Sequence, residues 1–236
     1  LPLTDPHVLL QSVLSGVTPE NSALIGVVIV LLFYLLVGGR VYCSWVCPVN
    51  MVTDLSAWLQ DKLRIRTPLK MDRSMRYWVL AVTLVLPMVT GILVWELVNP
   101  VSVIQRSLIF GIGMSWAIIL AIFLFDMVVS RRGWCGHLCP VGAFYSLLNK
   151  TSLLRISAVD RDSCDDCGKC FRVCPESQII RSALKPVNDD DSAVILSSLC
   201  TNCGRCIDIC EQSVFEFASR FNSQSHTRKA PDETFE

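Results

Sequence analysis

Eight of the 12 cysteines in this 236-residue chain fall into two runs, Cys164-x2-Cys167-x2-Cys170-x3-Cys174-Pro175 and Cys200-x2-Cys203-x2-Cys206-x3-Cys210. A close C-x2-C-x2-C loop wraps three corners of an iron–sulfur cube, and where two such runs occur together the fourth cysteine of each ligates the other run's cluster. The spacing assigns Cys164, Cys167, Cys170 and Cys210 to one [4Fe-4S] centre, and Cys200, Cys203, Cys206 and Cys174 to a second. Zinc also takes four thiolates, but its usual ligands are paired C-x2-C units with longer spacers. Gly168 and Gly204 stand where the backbone is expected to pass close to an inorganic core without a Cβ. Cys210 is followed by Glu211 where Cys174 has Pro175, which changes a turn and not the ligand count.

The other four cysteines lie in an internal repeat, Arg40-Val-Tyr-Cys43-Ser-Trp-Val-Cys47-Pro48-Val and Arg132-Gly-Trp-Cys135-Gly-His-Leu-Cys139-Pro140-Val. Each copy is followed by an amphipathic stretch, with Met51, Leu55, Leu59 and Leu63 after the first and Phe144, Leu147 and Leu148 after the second. Such a stripe suits a helix lying in a membrane interface, started by the proline of its first turn. Four thiols meeting at one end of a helix bundle can ligate an additional metal centre or form a redox-active pair; a lasting disulfide is disfavoured on the cytoplasmic side. The plainer alternative is four small hydrophobes packed in two turns. Whether the two copies converge is a matter for the tertiary structure.

The elements that must position these residues are apolar. Hydrophobic residues make up 52% of the chain and charged ones 18%, with a mean hydropathy of +0.47, too apolar for an average soluble domain and unlike a disordered chain. Equal numbers of basic and acidic residues, 21 each, exclude a basic nucleic-acid-binding domain. Three stretches, 21–39, 77–95 and 107–125, each run 19 residues without a charge, the length of a bilayer-spanning helix, and the last continues apolar past Asp126 to Val129. The pattern predicts an α-helical integral membrane protein with three spans. Arg and Lys concentrate between the first two runs and after the third, which places those segments on the cytoplasmic side and residues 1–20 outside. An outside start at Leu1 without a leader is awkward to translocate, so a fourth span is expected upstream.

The expected organisation is an extracytoplasmic segment (1–20), a membrane domain carrying both C-x3-C-P repeats (21–158), a cytoplasmic α+β two-cluster bacterial-ferredoxin-like domain (159–218) and a polar tail (219–236). Short apolar runs at 153–159 and 193–199 read as strands, one helical turn should follow each C-x2-C-x2-C loop, and Asp189, Asp190 and Asp191 read as an exposed turn. Residues 159–236 hold nine Lys+Arg and 14 Asp+Glu, a net of −5; the other 158 hold 12 and seven, a net of +5. The neutral total is thus a basic-looped anchor joined to an acidic cluster domain.

The order of spans, two C-x3-C-P repeats and a terminal two-cluster unit resembles the membrane-bound polyferredoxins. Within these, LTDP at 3–6, YCSWVCP at 42–48, WELVNPVS at 95–102, FLFDMVV at 123–129 and GWCGHLCPVGA at 133–143 are similar to the NapH-type ferredoxin subunits of the quinol dehydrogenase serving periplasmic nitrate reductase. The resemblance covers essentially the whole chain. It implies a multi-pass protein of the bacterial inner membrane that takes electrons from quinol and passes them through [4Fe-4S] clusters towards nitrate reduction. It also implies a periplasmic iron–sulfur partner subunit and a membrane-anchored cytochrome c as partners. A rival reading is a regulatory or metallocentre-assembly membrane polyferredoxin; a third is a scaffold whose clusters are structural.

Quinol oxidation releases two electrons and two protons, so it needs a proton acceptor near lipid. Ionisable residues in or beside apolar runs are candidates by default, which selects Glu96 and Asp126; the alternative is that each simply pairs with an arginine such as Arg106 or Arg131. His137, inside the second repeat, is a candidate metal ligand or proton relay, or a hydrogen-bonded residue at a helix end. Trp45, Trp78 and Trp134 read as interfacial anchors.

Overall fold

The structure, a computed structural model, describes residues 5–64, 71–111, 115–184 and 193–221. Leu3 and Thr4 of the LTDP motif, the Asp189–Asp191 run and the tail beyond residue 221 lie outside the described residues. The chain's first helix, α1 (Pro6–Leu14), is started by Asp5, whose carboxylate accepts the His7 N–H at 2.9 Å, with Pro6 in the first turn where no backbone donor is needed. There follow α2 (Asn21–Val37), a π-helical turn at Tyr42–Val46, α3 (Val49–Leu63), α4 (Met75–Thr90), α5 (Val94–Val98), α6 (Pro100–Phe110), α7 (Ser115–Val128), a second π-helical turn at Trp134–Leu138, and α8 (Pro140–Leu148). α3 packs along α7, and α4 packs between α8 and α1.

The expectation of three membrane spans is corrected by the helices themselves: among the described residues no helix is long and apolar enough to cross a membrane. α2 has 17 residues, α4 16 and α7 14. At about 1.5 Å per residue even α2 reaches only about 26 Å, short of the roughly 30 Å of bilayer hydrocarbon. An uncharged run in the sequence is not one continuous helix. The run 77–95 breaks where Gly91 turns left-handed (φ 68°), and α5 starts afresh at Val94. The run 107–125 is divided between α6, which ends at Phe110, and α7, which begins at Ser115. The stripe on α3 also faces outward: Met51, Leu55 and Leu63 are exposed, while Val49, Thr53, Ser56, Ala57 and Gln60 are buried.

The remainder is a small α+β unit: β1 (Leu154–Ala158), α9 (Lys169–Val173), α10 (Gln178–Leu184), α11 (Arg205–Asp208) and β2 (Phe215–Ser219). The two strands pair antiparallel, Leu154 opposite Ser219 and Ala158 opposite Phe215. Ile156, Ile179, Ile180, Ile195, Val214 and Phe215 form its core together with Cys170, Cys200 and Cys206. A helical turn does follow each C-x2-C-x2-C loop, as α9 and α11. The run 193–199, expected to be a strand, makes only a bridge from Val194 to Ser157, flanked by Ala158 N–H to the Ala193 carbonyl (2.9 Å) and Ile195 N–H to that of Ile156 (2.8 Å). The second strand comes instead from FEFAS at 215–219, which pairs with β1 along its full length.

A polar clasp joins the two parts. Arg40 Nη1 donates to the Leu199 carbonyl (2.7 Å), Ser44 Oγ to that of Thr201 (2.9 Å), and Asn202 Nδ2 to those of Val37 (3.0 Å) and Leu154 (2.9 Å). Asn149 Nδ2 donates to the carbonyls of Ser198 (3.1 Å) and Cys200 (2.8 Å). The approach is close enough that a Cβ on Gly39 would lie 2.2 Å from the Tyr145 carbonyl oxygen and 2.8 Å from Asn149 N. Gly39→Ala should therefore lower unfolding free energy by about 2–3 kcal/mol, the range of a backbone-level overpacking. Gly136→Ala, whose Cβ would meet nothing within 4 Å, should stay within about 0.5 kcal/mol of the parent; denaturant melts of the two variants check this.

His7 is fully buried, its ring nitrogens lack hydrogen-bond partners among the described residues, and its ring meets Phe144 edge-on at 5.7 Å. Burial pushes its pKa down from 6.5 to about 4. Between these values the unfolded chain takes up a proton that the folded one refuses, so this contribution is complete above pH 6.5 and is lost as pH falls towards 4. The denaturation midpoint should drop between pH 7 and pH 5, and the drop should be smaller in His7→Phe.

Candidate metal centres

In the α+β unit each cysteine loop is shaped by two left-handed residues at matching places. Asp166 (φ 56°) and Asn202 (φ 48°) precede the middle cysteines, and Gly168 (φ 69°) and Gly204 (φ 75°) start the short helices. Asp and Asn are the non-glycine residues that tolerate this region best. A Cβ on Gly168 would meet nothing within 4 Å and one on Gly204 only the Phe217 ring at 3.5 Å. Both glycines hold a left-handed backbone, a conformation that favours a residue without a Cβ.

Cys164, Cys167, Cys170 and Cys210 line one partly open cavity of about 410 Å³ with Phe171, Leu184 and Phe215. Cys174, Cys200, Cys203 and Cys206 line a second, of about 340 Å³, with Ile156, Ile179, Ile180 and Ile195. In both, the fourth cysteine comes from the other sequence run. In the first cavity Cys167 is exposed and only Cys170 buried, whereas in the second Cys200 and Cys206 are both buried and none is exposed, so the first cavity is the outer one. Burial pushes the Cys174 thiol up to about 12, and its neighbours Cys203 and Cys200 add to the shift. Burial likewise raises Cys200, against which the guanidinium groups of Arg155 and Arg40 act. Thiols this dry become thiolates only against a strong positive centre. The donor set fits an iron–sulfur cluster: four thiols line each cavity, the number that a [4Fe-4S] centre takes.

The two C-x3-C-P repeats also meet. Each forms a π-helical turn closed by the second cysteine, Cys47 N–H to the Tyr42 carbonyl at 3.0 Å and Cys139 N–H to the Trp134 carbonyl at 2.9 Å. A turn closed five residues back sets residues four apart on one side, which is where each pair of thiols lies. Cys43, Cys47, Cys135 and Cys139 line a single cavity of about 510 Å³. Burial pushes Cys47 to about 11 and Cys139 to about 12.

Between this cavity and the inner ferredoxin one lies a further space, invisible to motif reading. Arg40, Arg73, Arg131, Arg132 and Arg205, with Glu176 and His137, surround a space of about 590 Å³ that Cys43 and Cys135 border on one side and Cys203 on another. Arg132 reaches Asp54 at 2.6 Å, Arg205 Nη1 reaches the same carboxylate at 3.1 Å, and Arg73 pairs with Glu176. The one sequence signal was that Arg40 and Arg132 occupy the same place in the repeat. His137 lines this arginine space, not the four-cysteine cavity.

The two carboxylates singled out as proton acceptors have separate surroundings. Glu96, on α5, accepts from Ser102 Oγ and from Asn99 Nδ2 (3.4 Å), with Arg106 at 3.9 Å. Asp126, on α7, is fully buried: Oδ1 accepts the Trp134 N–H at 2.8 Å, and Oδ2 has no partner among the described residues. Arg131 does not pair with it but binds Asp61 at 2.8 Å. Asp126 therefore holds the second cysteine turn in place.

Comparison with known proteins bears on these cavities. The profile of a 4Fe-4S binding domain matches residues 22–66 and 112–157, the two C-x3-C-P segments, and that of a 4Fe-4S dicluster domain matches residues 156–216. The chain is 52% identical to the methylamine utilization ferredoxin-type protein MauN of Methylorubrum extorquens, over 95% of this chain and 77% of that protein. It is 55% identical to the MauN of Paracoccus denitrificans, over 93% of this chain and 77% of that protein. It is 46% identical to the ferredoxin-type protein NapH of Haemophilus influenzae, over 94% of this chain and 77% of that protein. No solved structure matches. With four-cysteine cavities, two 4Fe-4S profiles and such identity along nearly the whole chain, the protein belongs to the NapH and MauN family of ferredoxin-type 4Fe-4S electron-transfer proteins.

Proposed function

We propose that this chain is the electron-transfer subunit of a quinol dehydrogenase, passing electrons from quinol through two [4Fe-4S] clusters towards periplasmic nitrate reductase. The observation that carries the reading is the sorting of eight cysteines into two cavities, one open at Cys167 and one buried beside the arginine space. Cys164, Cys167, Cys170 and Cys210 would hold one cluster, and Cys200, Cys203, Cys206 and Cys174 the other. Such a cluster, when bound, supplies reversible one-electron transfer. The chain's own residues do the rest: Arg155 and Arg40 ease the thiolate of Cys200, the isoleucines of the inner cavity exclude water, and the exposed Lys169–Glu211 pair flanks the outer one, where a redox partner can approach. That partner is proposed to be a periplasmic iron–sulfur subunit acting with a membrane-anchored cytochrome c.

The proposed location is the bacterial inner membrane, with the cluster unit on the cytoplasmic side. What supports it is the apolar surface that α2, α4 and α7 leave exposed, among it Ile25, Leu32, Val82, Val85, Leu120 and Leu124. For the protons of quinol, Asp126 offers an unpartnered buried Oδ2, and burial pushes its pKa up to about 6, close to where an acceptor works at neutral pH. Glu96 offers a half-buried carboxylate on α5. A second reading, service to methylamine utilization instead of nitrate reduction, is favoured by the higher identity to the MauN proteins; restoring a strain that lacks MauN but not one that lacks NapH would select it.

Anaerobically purified chain should show the EPR signals of reduced [4Fe-4S] clusters, and Cys167→Ser and Cys203→Ser should each change a different part of the spectrum; identical spectra would overturn the ligand assignment. A quinol analogue should reduce the clusters, with Asp126→Asn or Glu96→Gln slowing reduction by about a hundredfold, the usual size of a lost proton acceptor. Unchanged rates in both would remove these carboxylates from the reaction.

A further inference from the structure

The space lined by Arg40, Arg73, Arg131, Arg132 and Arg205 carries more positive charge than its carboxylates answer. Glu176 is shared by two of the five: it lies 3.7 Å from Arg40 Nη1 and pairs with Arg73. Asp54 is shared by two more, Arg132 Nη2 at 2.6 Å and Arg205 Nη1 at 3.1 Å. Among the described residues only Arg131 has a carboxylate to itself, Asp61 at 2.8 Å. Five guanidiniums thus meet three carboxylates, an excess of two positive charges around a space of about 590 Å³.

Two of these arginines also have donors to spare. Arg73 bonds through Nη1 alone and Arg132 through Nη2 alone, so Arg73 Nη2 and Arg132 Nη1 have no hydrogen-bond partner among the described residues. Arg40 and Glu176 are buried, where water screens charge little, whereas Arg73 and Arg131 are more than a third exposed and leave the space reachable. Guanidinium groups fork onto phosphate oxygens through paired N–H groups, and a phosphate monoester is close to a dianion at neutral pH.

We propose that this space binds a phosphate monoester group, taken by the unspent donors of Arg73 and Arg132 and balanced by the two charges in excess. The chemistry is the same for free phosphate and for the headgroup of phosphatidic acid. The inference uses none of the twelve cysteines and stands apart from the proposed function.

The test is isothermal titration calorimetry of the anaerobically purified full-length protein with sodium phosphate, at neutral pH and an ionic strength fixed by sodium chloride. One saturable site is expected, weakened about tenfold in Arg73→Gln, the size of a lost hydrogen bond to a charged group. It should vanish in Gly136→Glu, which adds a carboxylate to the same space: Gly136 lines it, and a Cβ there would meet nothing within 4 Å. Dihexanoyl phosphatidic acid in place of phosphate assigns the source. Binding about tenfold tighter than that of phosphate makes it the lipid headgroup, and equal or weaker binding makes it free phosphate; both support the site. Heats no different from those of added sodium chloride, with both probes, overturn the proposal, since the excess charge is then answered by the neighbouring clusters. Phosphate binding that Arg73→Gln and Gly136→Glu both leave unchanged also overturns it. Should one variant fail to fold, the other decides.

Discussion

A guanidinium removed from water needs its charge answered and donors bonded, and the junction between the two parts of the molecule is built around one such group, held through Nη1. Arg40 is 3% exposed; it donates to the Leu199 carbonyl and faces Glu176, which Arg73 also holds. To satisfy it, the end of α2, the first cysteine turn and the loop that opens the second ferredoxin motif must meet at one point. Asn202, Asn149 and Ser44 complete the junction with backbone carbonyls as acceptors, so it depends on the path of the chain more than on partner side chains. This junction brings the helical part against the inner cysteine cavity.

The repeat shows how one local motif serves two tertiary roles. Both copies close the same π-helical turn, but Arg40 turns inward to the ferredoxin unit while Arg132, its counterpart, joins Arg205 on Asp54 at the rim. Asp126 steadies only the second turn, through the Trp134 N–H. A duplicated sequence therefore yields a symmetric set of thiols in an asymmetric electrostatic setting, with the basic groups gathered on the side that faces the inner ferredoxin cavity.

The grouping of eight cysteines around two cavities was legible because short spacings hold each C-x2-C-x2-C loop to one place, and the turn after each loop follows from the same constraint. Strand 193–199 was not, since a run such as AVILSSL fits a buried bridge as well as a strand, and the partner of β1 was fixed by 215–219 instead. The apolar runs misled for a related reason. Absence of charge says nothing about where a left-handed glycine or a break such as that between α6 and α7 ends a helix, and those ends decide its length.

The sequence by itself determined that eight of the twelve cysteines stand in ferredoxin spacing and how those eight group, because residue type and spacing are covalent properties of the chain. Only the tertiary structure decided that the other four share a cavity, since Cys43 and Cys135 are brought together by helices packing from distant segments. It also decided that five arginines stand between that cavity and the inner ferredoxin site. Convergence of this kind follows from burying apolar faces and satisfying Arg40, and no local spacing encodes it.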